Sequence, residues 1–157
     1  MEISCFKAYD IRGQIPNELN ADICYRIGNA TGAFLEAKTM VVGRDMRLTS
    51  GEFADAVIKG LTDAGVEVLD IGLCGTEMVY FATAHLKTDG GIMVTASHNP
   101  PEYNGFKICS GIDSVYGEQI QEILQYIQAN DFETGQGSVE FFDVAWPTRS
   151  TCCKYKK

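Results

Sequence analysis

The sequence predicts an α/β domain with helices on both faces of a central sheet. Short apolar runs that read as strands alternate along the chain with segments whose apolar residues recur every three or four positions. No internal repeat and no low-complexity linker breaks that alternation. In such folds ligands gather beyond the carboxyl ends of strands, so polar turns that follow strands are the places to look for chemistry.

The elements follow in order. Ala21 to Leu35 reads as a helix, with Ile23, Ile27, Ala30 and Phe34 at helical spacing and Asn20 as its N-cap. Thr39 to Val42 is a short buried strand closed by Gly43. In Leu48-Thr49-Ser50-Gly51-Glu52, a hydroxyl residue precedes an acidic one and then an apolar run, which starts a helix. Phe53, Val57, Ile58 and Leu61 form its apolar face, and Gly65 stands at its C-terminus. Val66 to Ile71 alternates and reads as a strand; Met78 to Leu86 is an amphipathic helix entered through Gly75-Thr76-Glu77. Gly91 to Thr95 and Gly105 to Cys109 are further strands. Gly117 to Ala129 is a helix with Ile120, Ile123, Leu124 and Ile127 on one side.

Residues 1–143 thus form one domain. Residues 144–157 have no period, hold the adjacent Cys152 and Cys153, and end in a small basic cluster; they read as an irregular tail, as expected of a truncation, a frameshift or a cloning boundary. A chain of 157 residues, 45% hydrophobic and 22% charged, is long and apolar enough for an ordinary core. Its net charge of -8 argues against nonspecific nucleic-acid binding, though a few cations converging in one cleft can still hold a phosphate. There is no run of about 18 apolar residues for a membrane span and no apolar leader. Six cysteines without a C-x-x-C pair, and two histidines, show no zinc spacing; reduced thiols and a cytoplasmic protein are expected. Walker A and G-x-G-x-x-G patterns are absent, so nucleotide binding is not supported.

Four constellations stand out. In Gly90 to Pro100 a buried strand runs into the turn Thr95-Ala96-Ser97-His98-Asn99-Pro100, which presents hydroxyls, an imidazole and an amide. Ser97 is either a turn-capping serine or a nucleophile, and a bare serine needs activation or pre-loading. Tyr103-Asn104-Gly105-Phe106-Lys107 is either a plain Asn-Gly hairpin turn or a device that leans Lys107 over Ser97. In Tyr9-Asp10-Ile11-Arg12-Gly13, Arg12 is either solvated on a loop or a fork for phosphate. In Gly43-Arg44-Asp45-Met46-Arg47, Arg44 is expected to pair with Asp45. His98 follows Ser97 directly and therefore points away from it, which makes a poor hydrolase base; the G-x-S-x-G elbow is also missing. His85, late in a helix, reads as structural.

Taken in this order, the four motifs resemble domain 1 of the α-D-phosphohexomutases, over about Cys5 to Phe142, and Thr-Ala-Ser-His-Asn-Pro is highly specific to that family. Gly75-Thr76-Glu77 and Phe6 to Gly13 lean toward bacterial phosphomannomutases. The resemblance implies a three-layer αβα sandwich around a mixed, mostly parallel sheet. It implies an isomerase in which phosphorylated Ser97 passes its phosphoryl group to a hexose phosphate and regains one from the bisphosphate formed. Mannose 6-phosphate and mannose 1-phosphate interconvert in this way, with hexose 1,6-bisphosphate as activator. Ser97, Lys107, Arg12 and His98 match the catalytic positions; Tyr9, Thr95 and Asn99 join them in holding phosphate and substrate. Magnesium is the implied metal, reached from this domain through the phosphate on Ser97.

The family has further domains, and their Asp-Gly-Asp-Gly-Asp metal loop does not occur here. The chain on its own is therefore expected to be inactive and to need the remaining mutase domains as partners. Alternatives are a truncated, non-catalytic phosphate-binding remnant, a phosphoglucomutase or phosphoglucosamine mutase domain, and, more remotely, a serine hydrolase. Neither nucleic acid nor membrane is expected as a partner.

Overall fold

The computed structural model describes residues 3–143. The expected irregular tail at 144–157 lies outside the described residues. Along the chain run β1 (Ile11–Gln14), α1 (Ala21–Phe34), β2 (Thr39–Arg44), α2 (Ser50–Asp63), β3 (Glu67–Leu73) and α3 (Thr76–Leu86). They are followed by β4 (Gly90–Val94), β5 (Tyr103–Ser110), β6 (Asp113–Ser114), α4 (Glu118–Ala129) and β7 (Val139–Phe141). The sheet order is β1-β5-β4-β2-β3-β7, with β6 paired to β5. β4, β2, β3 and β7 run parallel, while β5 is antiparallel to both its neighbours, β1 and β4. This is the mixed, mostly parallel sheet flanked by helices.

Strand alternation divides the core. Met40, Val42, Ile92 and Val94 face the larger cluster with the apolar sides of α1, α2 and α4, including Ile27, Phe53, Leu61 and Ile123. Val41 and Met93, one residue out of phase, face Val79 and Ala82 of α3. A strand with both faces covered reads as a continuous apolar run, which is why β2 and β4 were legible as buried. Asn20 caps α1, its side chain accepting from the Ile23 amide. Gly65, at φ +88°, ends α2 in the left-handed conformation that glycine adopts without strain.

The α1–α2 crossing brings the two backbones close at Gly28 and Gly60. A Cβ at Gly28 would collide with the Val57 carbonyl oxygen, and one at Gly60 with that of Tyr25. Asn29, fully buried at the same crossing, donates to the carbonyls of Gly60 (3.3 Å) and Glu133 (2.9 Å) and accepts from the Glu133 amide (3.0 Å).

Several local expectations are corrected. Asn104-Gly105 is no hairpin turn: both residues lie inside β5, opposite Gly13 and Arg12 of β1. A Cβ at Gly105 would strike the Ile11 carbonyl oxygen, so glycine serves close strand approach there. Arg12 sits in a strand, not a loop. The helix start expected in Leu48 to Glu52 is found, α2 beginning at Ser50, though the Thr49 hydroxyl accepts from Asn104 rather than capping the helix. His85 stacks on Phe81 at 5.4 Å between ring centroids, in keeping with a structural role.

Candidate functional site

The parallel strands β2 and β4 end side by side, with Arg44 registered opposite Val94. The polar turns that follow them, Asp45-Met46-Arg47 and Thr95 to Pro100, therefore meet at one edge of the sheet. β5 continues the site sideways. The Thr95 amide donates to the Gly105 carbonyl (2.9 Å), and Arg12 is paired with Gly105 from the other side. Strand pairing alone thus sets Arg12 and Thr95 on either flank of one residue.

Ser97 is exposed at the tip of its turn and has φ +54°, left-handed for a residue with a Cβ. Such a conformation costs on the order of 1–2 kcal/mol and persists only where surrounding contacts impose it. Those contacts are specific. The Ser97 amide donates to Thr95 Oγ1 (2.9 Å), and Thr95 Oγ1 donates to Asp45 Oδ2 (2.7 Å). The Ser97 carbonyl accepts from Arg47 Nη2 (2.9 Å). Arg47 also donates to the carbonyls of Asn99 (2.6 Å), Pro100 (2.9 Å) and Tyr103 (3.0 Å). Its Nε lies 3.5 Å from Asp45 Oδ2, so the expected Arg44–Asp45 pair is replaced by Arg47–Asp45. The bend at Met46 folds Arg47 back onto Asp45, whose carboxylate also accepts from the Arg47 amide, whereas Arg44 is still part of β2.

Asp45 is the hub. Its Oδ1 accepts from Ser50 Oγ (2.6 Å) and the Arg47 amide (3.0 Å). Fully buried Asn104 donates to both Thr49 and Ser50 and receives the Gly105 amide, tying β5 into the same network.

A second cluster lies on β1 and β5. Directly paired residues of an antiparallel pair share a face, as do residues two apart along a strand. Arg12, paired with Gly105, and Lys107, two residues further along β5, consequently face the same side. Between them is Asp10, with Oδ1 3.4 Å from Arg12 Nε and Oδ2 3.8 Å from Lys107 Nζ. Asp10 Oδ1 is buried and accepts no hydrogen bond, the Arg12 contact being an ion pair without hydrogen-bond geometry. The arrangement holds two cations, one of them nearly half exposed, at the edge shared with the serine turn.

The remaining expected site residues are placed as follows. His98 is exposed beside Ser97, and Tyr9 is 80% exposed ahead of β1. Asn99 closes the turn on itself, its side-chain amide donating to the Ala96 carbonyl (2.7 Å). The Thr95 hydroxyl, buried with its residue, is engaged as donor to Asp45 of the neighbouring turn and as acceptor from Ser97. An open cavity of about 580 Å³ beside the turn is lined by Ile15, Asp45, Arg47, Leu48, Ser97 and Pro101, among others.

Asp10, Asp45 and Arg47 lie within the sequence motifs, but nothing in the motifs themselves marks them as site residues. Lys107, Thr95 and the carbonyls from Ser97 to Tyr103 are remote from them in the chain; the i, i+2 spacings of Asp10 with Arg12 and of Asp45 with Arg47 are the local signal of a shared side. Among the described residues, no cluster of three His, Cys, Asp or Glu is gathered for a metal. Asp10 and Asp45 are both occupied by cations or hydroxyls, so these residues do not by themselves form a magnesium site. No described helix is long and apolar enough to cross a membrane.

Known proteins share both sequence and fold. Residues 4–134 match the family described as phosphoglucomutase/phosphomannomutase, alpha/beta/alpha domain I. A phosphomannomutase of Escherichia coli strain K12 is 55% identical over 133 residues, covering 83% of this chain and 29% of that protein. One from Klebsiella pneumoniae is 62% identical over 107 residues, 68% of either chain. The crystal structure of a phosphoglucomutase/phosphomannomutase family protein from Burkholderia thailandensis superposes with a TM-score of 0.88 at 43% identity, covering 94% of this chain and 35% of that one. The chain therefore spans under a third of the length of the E. coli relative. With the match running through every strand from β1 to β5 and through both polar turns, the chain belongs to the phosphoglucomutase/phosphomannomutase family as its alpha/beta/alpha domain I.

Proposed function

We propose that this chain carries the phosphoserine of a phosphomannomutase, with Ser97 as the phosphoryl carrier. The observation that supports this best is the presentation of Ser97. Its main chain is held from both sides while the residue stays exposed, at an edge shared with Arg12 and Lys107. In phosphoryl transfer the protein's work is positioning and charge stabilisation.

The sugar hydroxyl oxygen bonds to phosphorus, the bond from phosphorus to Ser97 Oγ breaks, and the hydroxyl proton passes to a base as Ser97 Oγ recovers one. The reverse step, from the other phosphate of the bisphosphate, reloads serine. Arg12 supplies a bidentate fork for phosphoryl oxygens, and Lys107 a donor that can carry the proton. Asp10, between them, offsets the repulsion of the two cations and holds both on one side of the sheet. His98 and Tyr9, at the exposed rim, and half-buried Asn99 contact the sugar phosphate; Thr95 contributes by holding the Ser97 amide. Magnesium, the family's implied metal, would take one oxygen of the phosphoserine here and its carboxylates from beyond this chain. Sugar preference and turnover belong to the longer protein. A cytoplasmic setting accords with Cys5, Cys24, Cys74 and Cys109, all free thiols.

The test is a chimera in which residues 4–134 replace the matching part of the E. coli phosphomannomutase. It should interconvert mannose 6-phosphate and mannose 1-phosphate and carry one phosphoryl group on Ser97 by peptide mass, both lost in Ser97→Ala. A folded chimera with Ser97 unmodified would favour the non-catalytic remnant. Activity surviving Ser97→Ala would sink the carrier assignment.

A further inference from the structure

Resting on that reading, we infer that Arg47 and Asp45 form a clamp that sets the backbone of Ser97 for phosphoryl transfer, making Arg47 a positioning residue that touches neither substrate nor the reacting atoms. The geometry is two-armed. Arg47 grips the Ser97 carbonyl directly, and Asp45 reaches the Ser97 amide through the Thr95 hydroxyl. The arms are joined by the Arg47–Asp45 ion pair and by the Asp45 contact to the Arg47 amide. Both polar atoms of the Ser97 main chain are thus fixed by a turn 50 residues away in sequence.

Three features separate this from an ordinary surface ion pair. The Arg47 side chain is only 16% exposed, so its contacts are sheltered from screening. Its planar guanidinium satisfies four carbonyls between Ser97 and Tyr103, a pattern a lysine point charge does not reproduce. And the residue it holds is the one whose left-handed φ requires outside support. There is also an electrostatic consequence. Carbonyl oxygens repel a phosphoryl group, and a cation turned toward those of Ser97, Asn99 and Pro100 draws their negative ends to itself, leaving the exposed side of the turn less hostile to an anion.

The clamp is tested first in the 157-residue chain by amide hydrogen exchange. Arg47→Ala should speed exchange at the Ser97, Asn99 and Tyr103 amides at least ~10-fold while the β4 and β5 amides of Ile92 and Ile108 stay within ~2-fold. Arg47→Lys should recover only part of the protection. Unchanged exchange at all three turn amides would overturn the clamp, whether or not the chain is part of a mutase. The second arm uses the chimera: Arg47→Ala should lower kcat about 100-fold, leave KM within ~3-fold, and recover partly in Arg47→Lys. A kcat within ~3-fold of the parent, with turn protection lost, would show that Ser97 needs no such clamp while leaving the carrier role standing. Failure of the carrier role would show itself separately, as an unphosphorylated parent chimera.

Discussion

Arg47 Nη2 holds the carbonyl oxygen of Ser97 at 2.9 Å, joining the turn after β2 to the turn after β4. The bond is possible because β2 and β4 are parallel neighbours ending at the same level, so turns that follow different strands become one surface. It also locates the strain of the site in one residue, Ser97, with φ +54°.

That strain predicts a separation between stability and chemistry at one position. Ser97→Gly should be about 1 kcal/mol more stable to thermal or denaturant unfolding than Ser97→Ala, because glycine adopts positive φ without a Cβ clash. Both substitutions should abolish phosphorylation equally. Equal stabilities would mean that the left-handed backbone is not retained once the hydroxyl is gone.

The α1–α2 crossing makes a second prediction within a single helix. Gly60→Ala drives a methyl into the Tyr25 carbonyl of α1 and should cost about 1–3 kcal/mol, since backbone must move to admit it. Gly51→Ala, at the start of the same helix with nothing within 4 Å of the added methyl, should instead stabilise by about 0.5–1 kcal/mol. Urea midpoints of the two variants against the parent decide it.

Alkaline pH gives a third. Burial pushes the Cys5 thiol up to about 11, from an ordinary value of 9.0. The unfolded chain releases this proton from about pH 9 while the folded chain keeps it until about pH 11, so unfolding gains a deprotonation as pH rises. The stability present below pH 9 is then lost across that window, at up to about 1.4 kcal/mol per pH unit for this group. Cys24, with its thiol also raised by burial, adds to the slope. Cys5→Ala should flatten the fall of unfolding free energy between pH 9 and 10.5; an unchanged slope would place the loss on other groups.

Legibility in the sequence followed burial. Helices α1, α2 and α4 carry apolar stripes at helical spacing, and β2 and β4 are continuous apolar runs, so each could be read locally. β7 could not: Val139–Phe141 is exposed throughout and is a strand only because β3 offers it a free edge. β1 is four residues long, and its alternation of buried and exposed positions is too short to stand apart from the polar motif around it. Asn104-Gly105 carried a turn signal that the sheet overrode, because β1 and β4 pair with β5 along both its edges.

For the site, the sequence by itself determined which residue types were at hand and that a hydroxyl-bearing turn follows a buried strand. Local order along a chain is enough for that, since a strand's end and the turn after it are neighbours in sequence. Only the tertiary structure decided the partnerships across the chain: Arg47 on the carbonyls of Ser97 and Tyr103, Thr95 on Asp45, Lys107 on Asp10. These depend on which strands lie side by side and in what register. A hydrogen bond fixes distance and direction between groups tens of residues apart, and the packing of the whole sheet sets those before either side chain can choose a partner.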